Sequence, residues 1–181
     1  MLRNGRPFIS RLFLIMFLFL AECCDSKADK IIPAYNNYKF ETKVIEKLPI
    51  YDSLAFAILE NMKLFQDSIN VNDAYQAFRY MPTPDEPEVY KKLPDEISDS
   101  INRFISKIGK DFIYGFDIFR DSTIKIYVRR KTIERTTVKI EENLSYYPVG
   151  SNIKHREYPI KDTMLNIRWQ YWTRFDTPDF F

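Results

Sequence analysis

Apolar positions change their spacing twice along this chain. From Tyr51 to Ile69 they recur every three or four residues, at Leu54, Ile58, Met62, Phe65 and Ile69, which predicts a first helix with Asp52 or Ser53 at its start. Asn72 or Asp73 would cap a shorter second helix running to Tyr80, with Tyr75 and Phe78 turned inward. Prolines at 82, 84, 87 and 94 forbid a continuous helix between Met81 and Pro94 and predict an extended connection. Between Asp95 and Lys110 the residues Ile97, Ile101, Phe104, Ile105 and Ile108 line one helical face. Acidic residues stand at that helix's start and Gly109 at its end. After Lys110 the period falls to two. Phe112–Phe119, Ile124–Val128, a stretch from about Arg135 to Tyr147, and Thr163–Tyr171 read as four strands, with a loop at Pro148–Pro159. Tyr38, Phe40 and Thr42 also alternate, which predicts a short strand there.

Helices first and strands afterwards predict an α+β fold. The N-terminal helices would pack on one face of a C-terminal antiparallel β-meander of about four strands. The expected organisation is an export segment at 1–22, a polar tether at 23–37 and one globular domain at 38–181.

The amino end has its own pattern. Arg3, Arg6 and Arg11 precede ten unbroken apolar residues, Leu12 to Ala21. As a helix, ten residues span about 15 Å, roughly half of a hydrocarbon core, so export followed by cleavage is the expectation, not a permanent span. Leu20-Ala21-Glu22-Cys23 resembles the lipobox of bacterial lipoprotein precursors, matching at three of four positions and departing at Glu22. The resemblance covers residues 1–24. It implies lipidation of Cys23, with Cys24 as the alternative, and membrane anchoring through the N-terminal lipid in the cell envelope. A soluble periplasmic or secreted product is the alternative reading. Two or more acyl chains anchor stably where one binds only marginally.

Composition alters the picture in two ways. The chain has 27 Lys plus Arg against 25 Asp plus Glu, and removal of residues 1–22 leaves 24 of each, so nothing in the overall balance points to nucleic acid. Cys23 and Cys24 are the chain's two cysteines, so the domain after them has neither disulfides nor thiolate ligands.

Candidate chemistry is sparse. His155 is the sole histidine, flanked by Lys154 and Arg156, and no nucleophile-elbow sequence accompanies it. Glu141 and Glu142 are adjacent, so on a strand they face opposite sides and do not converge; they read as a solvated strand edge. No metal, cofactor or catalytic residue is assigned. Two surfaces are candidates for binding. Lys125, Arg129, Lys131 and Lys139 would share a wet sheet face as a basic surface, and Trp169, Tyr171 and Trp172 would supply an aromatic one, although core packing is the favoured role for those rings. The sequence therefore predicts a lipid-anchored envelope module that acts by binding, with another envelope protein as partner. The alternatives are an envelope hydrolase using carboxylates and an immunity- or inhibitor-type lipoprotein.

Overall fold

The computed structural model describes residues 38–67, 69, 76–82, 91–133, 138–148 and 161–176. The chain divides into two units: Met1–Lys39 with Ile133–Thr137, and Phe40–Thr132 with Val138–Phe181. Every element below belongs to the second unit.

A short helix α1, Thr42–Glu46, starts where the Glu41 carboxylate accepts the Lys43 backbone N–H. Helix α2, Leu48–Glu60, carries Pro49 in its first turn and buries Tyr51, Leu54, Ala55 and Ile58 at helical spacing. Asn61 then turns its side-chain amide back to the Ala57 carbonyl at 2.9 Å, and the chain restarts as α3, Met62–Gln66. The single helix expected over Tyr51–Ile69 is thus two. Strand β1, Ala77–Tyr80, replaces the C-terminal part of the expected second helix. Gln76, at φ +45°, has left the helical region, and Phe78 pairs with Ile118 across the sheet. Helix α4, Asp95–Ile108, follows the expected pattern: Asp95 and Glu96 in the first turn, Ile97, Ile101 and Ile108 buried, and Gly109 closing it at φ +93°.

Strands β2 (Gly115–Phe119), β3 (Ile124–Thr132), β4 (Lys139–Tyr146), β5 (Lys161–Met164) and β6 (Trp169–Asp176) join β1 in one open six-stranded sheet. Its order is β1-β2-β3-β4-β6-β5, and every pairing is antiparallel. The fold is therefore α+β with a mixed helix order and six strands, not a four-stranded meander. Three corrections explain the difference. Thr163–Tyr171 is not one strand, because the Asn166 side chain accepts the backbone N–H groups of Arg168 and Trp169 at 2.8 and 2.9 Å and folds the segment into the β5–β6 hairpin. Thr42 begins α1 instead of ending a strand, and β1 is a strand instead of a helix. Residues 1–37, 70–75, 83–90, 134–137 and most of Pro148–Pro159 lie outside the described residues, and with them the export segment, the tether, most of the proline-rich connection and the starts of two predicted elements.

Register fixes which side chains share a side of the sheet. Phe78, Phe116, Ile118, Ile124, Ile126, Leu144, Tyr146, Trp169 and Tyr171 point to one side and cluster with Tyr51, Leu54, Ile58, Ile97, Ile101 and Ile108 of α2 and α4. Fully burying each aliphatic or aromatic chain in such a cluster contributes about 1.5–3 kcal/mol, enough to hold the helices to the sheet without covalent staples. Gly115 sits where β1 passes closest: a Cβ there would lie 2.6 Å from the Tyr80 carbonyl oxygen.

Candidate functional site

The opposite side of the sheet carries charge, and β4 distributes it. Register places Glu141 opposite Arg130 and Arg174, and Glu142 opposite Arg129 and Thr173. A bulge between Tyr127 and Arg129 puts Val128 out of register. Lys125 consequently shares a side with Glu141, while Arg129 shares one with Glu142.

Glu141 is fully buried and its carboxylate is held by three cations: Arg174 Nε at 3.0 Å, Arg130 Nε at 3.5 Å and Lys125 Nζ at 3.7 Å. Burial works to raise its carboxyl pKa, but Lys125, Arg174 and Arg130 overcome that and hold it below the usual value. The Lys125 ammonium also lies 4.2 Å from the Tyr127 ring centre and 5.1 Å from that of Trp172. Beside it, Asp117 accepts the Tyr127 hydroxyl at 2.5 Å and faces Arg79 Nε at 3.7 Å. Burial displaces the Asp117 carboxyl upward, against the Tyr127 hydrogen bond and the cations.

Glu142 occupies the other side. Arg129 reaches it with Nη2 at 2.6 Å and Nε at 2.8 Å, Tyr171 donates its hydroxyl, and the third arm of Arg129 reaches Glu41 at 3.0 Å. Burial pushes the Glu142 carboxyl up to about 7, opposed by the Tyr171 hydrogen bond. The same pair drives the Tyr171 hydroxyl well above its ordinary value, through burial first and the Glu142 charge second. Both glutamates are buried in a central strand, so the expected solvated strand edge is not what forms.

Neither candidate binding surface assembles. Lys125 is buried against Glu141, Arg129 turns to Glu142, and Lys131 and Lys139 lie on opposite sides of the sheet, so the four cations do not make one basic face. The bulge at Val128 is the reason, since it reverses the alternation that would have aligned Lys125 with Arg129. Trp169, Tyr171 and Trp172 are all buried. Trp169 donates Nε1–H to Asp52 at 2.5 Å and packs edge-on against Tyr146, and Trp172 donates to Ser145 Oγ at 2.8 Å. These rings hold strands together and present no aromatic surface. His155, Cys23 and Cys24 lie outside the described residues. Among the described residues no three His, Cys, Asp or Glu side chains converge as a metal site.

The exposed apolar groups are elsewhere. Phe56 of α2 is 58% exposed and Ile167, in the β5–β6 turn, 83%. Both line a cleft of about 350 Å³ with Asp52, Tyr146, Asn166 and Arg168. Phe56 and Asp52 also border a second cleft of about 480 Å³, with Ser53, Ala57, Glu60, Ser100 and Phe104. Two concavities therefore flank one protruding ring, with Arg168 at one end and Glu60 at the other. The sequence carried a signal for this: Phe56 stands off the Leu54, Ile58, Met62, Phe65 stripe, so an amphipathic helix must turn it outward.

Comparison with protein families, curated proteins and solved structures finds no match for this chain.

Proposed function

We propose that this chain is a lipid-anchored cell-envelope protein whose α+β domain acts by binding another envelope protein through the face formed by Phe56, Ile167 and Arg168. The observation that carries this reading is the joint lining of one cleft by Phe56 and Ile167, two large apolar side chains more than half exposed. Large exposed apolar groups rimmed by charge mark contact surfaces, and aromatic and arginine side chains supply much of the energy of such contacts. The matching partner presents apolar side chains to the two concavities, an acid to Arg168 and a base to Glu60. The anchor rests on the lipobox-like segment ending at Cys23 or Cys24. A carboxylate hydrolase fits the geometry less well, because Glu141 and Glu142 point to opposite sides of the sheet and each is already gripped by its own cations.

Two measurements test the two halves of the reading. Intact mass of the membrane-fraction protein, with Cys23→Ser and Cys24→Ser for comparison, should show residues 23–181 or 24–181 plus acyl chains; an unmodified full-length chain overturns the anchor. For the surface, the envelope protein cross-linked to wild type in native membranes should be lost from Phe56→Asp and Ile167→Asp and retained by Lys92→Asp. Equal recovery with all four chains overturns the proposed face.

A further inference from the structure

The side of the sheet that carries Glu141 also buries a nucleophile. Lys125 is 5% exposed, and its side chain runs along β4 from its register partner Ser145 to Glu141, which its Nζ meets at 3.7 Å. Ser145, Asn143 and Glu141 alternate on that side of the strand, so Asn143 lies between the two ends of this path. Two rings fix the position further. Asn143 pairs with Tyr127 across β3 and with Trp172 across β6, and Nζ lies 4.2 Å from the centre of the first ring and 5.1 Å from that of the second. The Lys125 amine therefore sits over the Asn143 side chain, a diagonal cross-strand neighbour within the span of a lysine.

We infer that Lys125 and Asn143 condense into an intramolecular amide, Nζ of the one bonded to Cγ of the other, which links β3 to β4 covalently.

The surrounding groups suit that condensation. Asn143 is fully buried; its Nδ2 donates to the Glu141 carbonyl at 3.4 Å, and its Oδ1 accepts no hydrogen bond, an orphaned acceptor of the kind found at reacting groups. Asp117 stands opposite Lys125 in β2, with Oδ2 taken by the Tyr127 hydroxyl at 2.5 Å and Oδ1 without a hydrogen bond. Burial raises the Asp117 carboxyl while cations lower that of Glu141, so Asp117 is the stronger base of the two acids beside the amine. Asp117 takes one proton from the Lys125 ammonium, and the freed Nζ lone pair attacks Asn143 Cγ. A second Nζ proton passes to Nδ2, the Cγ–Nδ2 bond breaks, and ammonia leaves with the Asp117 proton as ammonium. No oxidant or reductant is needed. One buried positive charge is lost, and Glu141 keeps Arg130 and Arg174. Holding amine and carboxamide together raises their effective concentration to about 10⁵ M or more, and departure of ammonia drives the step from even a small neutral fraction of Lys125. The Lys125–Glu141 ion pair is the arrangement before the bond forms.

Tryptic peptide mass spectrometry of the full chain, isolated in an uncharged detergent, reads the bond directly. The expected product joins residues 121–129 to residues 140–154, uncut at Lys125 and lighter than the two peptides together by one ammonia. It should be absent from Lys125→Arg and from Asn143→Ala, and Asp117→Asn should slow its accumulation at least tenfold. Wild type that is cut at Lys125 and yields an unmodified 140–154 peptide overturns the proposal, whether or not the variants fold. A branched product that survives Asn143→Ala, or one lighter by a water instead of an ammonia, overturns Asn143 as the acceptor.

Discussion

Glu141 and Glu142 are adjacent in β4, yet each is buried in a separate ion network on its own side of the sheet, Glu141 among Lys125, Arg130 and Arg174 and Glu142 between Arg129 and Tyr171. The pleat of an ordinary strand produces the separation and likewise sends the consecutive Arg129 and Arg130 to opposite sides, while the bulge in β3 decides which arginine meets which glutamate. This relationship removes the adjacent acids as a catalytic pair. It makes them the electrostatic centre of the domain.

Glu141→Gln should therefore be among the most damaging single changes. It removes the buried carboxylate that pairs with Lys125, whose side chain is only 6% exposed. Breaking such a buried pair costs about 3–5 kcal/mol, whereas removing both charges is far milder. Urea unfolding should show a loss of at least about 3 kcal/mol for Glu141→Gln, partly recovered by Lys125→Met in the same chain. A loss below about 1 kcal/mol would show that the network contributes little.

Glu142 should make stability fall as pH rises. Its carboxyl is raised to about 7 in the folded state, so between roughly pH 4.5 and 7 the folded chain binds more protons than the unfolded one. The stability this group confers is complete below pH 4.5 and is lost as pH rises through 7. Relative to wild type, Glu142→Gln should gain about 3 kcal/mol between pH 4.5 and pH 8, read from paired denaturation curves. A difference that stays flat with pH would mean the Arg129 guanidinium keeps Glu142 ionised throughout.

Gly115→Ala should loosen β1. The added methyl meets backbone, not a movable side chain, at 2.6 Å from the Tyr80 carbonyl oxygen. The expected loss is about 1–3 kcal/mol, accompanied by faster amide exchange in Ala77–Tyr80 than in β4. Unchanged exchange in β1 would contradict the close approach.

Both tryptophans of the chain lie in β6 and are buried, Trp169 against Asp52 and Tyr146, Trp172 against Lys125 and Ser145. Folded protein should emit at the short wavelengths of a shielded indole, resist acrylamide quenching and shift red on unfolding. Asp52→Ala removes the carboxylate that accepts the Trp169 N–H and should cost about 1–2 kcal/mol. Emission at the wavelength of free indole from the folded chain would contradict the packing of β6.

The sequence disclosed long-period features well. Isoleucines at 97, 101 and 108 lie on one face of α4 because four turns of consistent spacing leave little ambiguity. It disclosed short ones poorly. β1 has four residues, too few to separate a period of two from one of 3.6, so Phe78 served equally as a helical or a strand anchor. The β5–β6 hairpin depended on one side chain, Asn166, accepting two backbone N–H groups, a local event that apolar patterning does not record. Loss of the basic face had a similar origin: the bulge at Val128 leaves no compositional mark, yet it sends Lys125 and Arg129 to opposite sides. Phe56 was readable as an outward residue on α2; that Ile167 would meet it across a cleft required the hairpin.

The most direct test of a binding role is site-specific photo-cross-linking in native membranes, with a benzophenone amino acid at Ile167 and, as control, at Lys92. One discrete adduct is expected from position 167, abolished by Phe56→Asp in the same chain and absent from position 92. Equal labelling from both positions, or an adduct at 167 that survives Phe56→Asp, would contradict it.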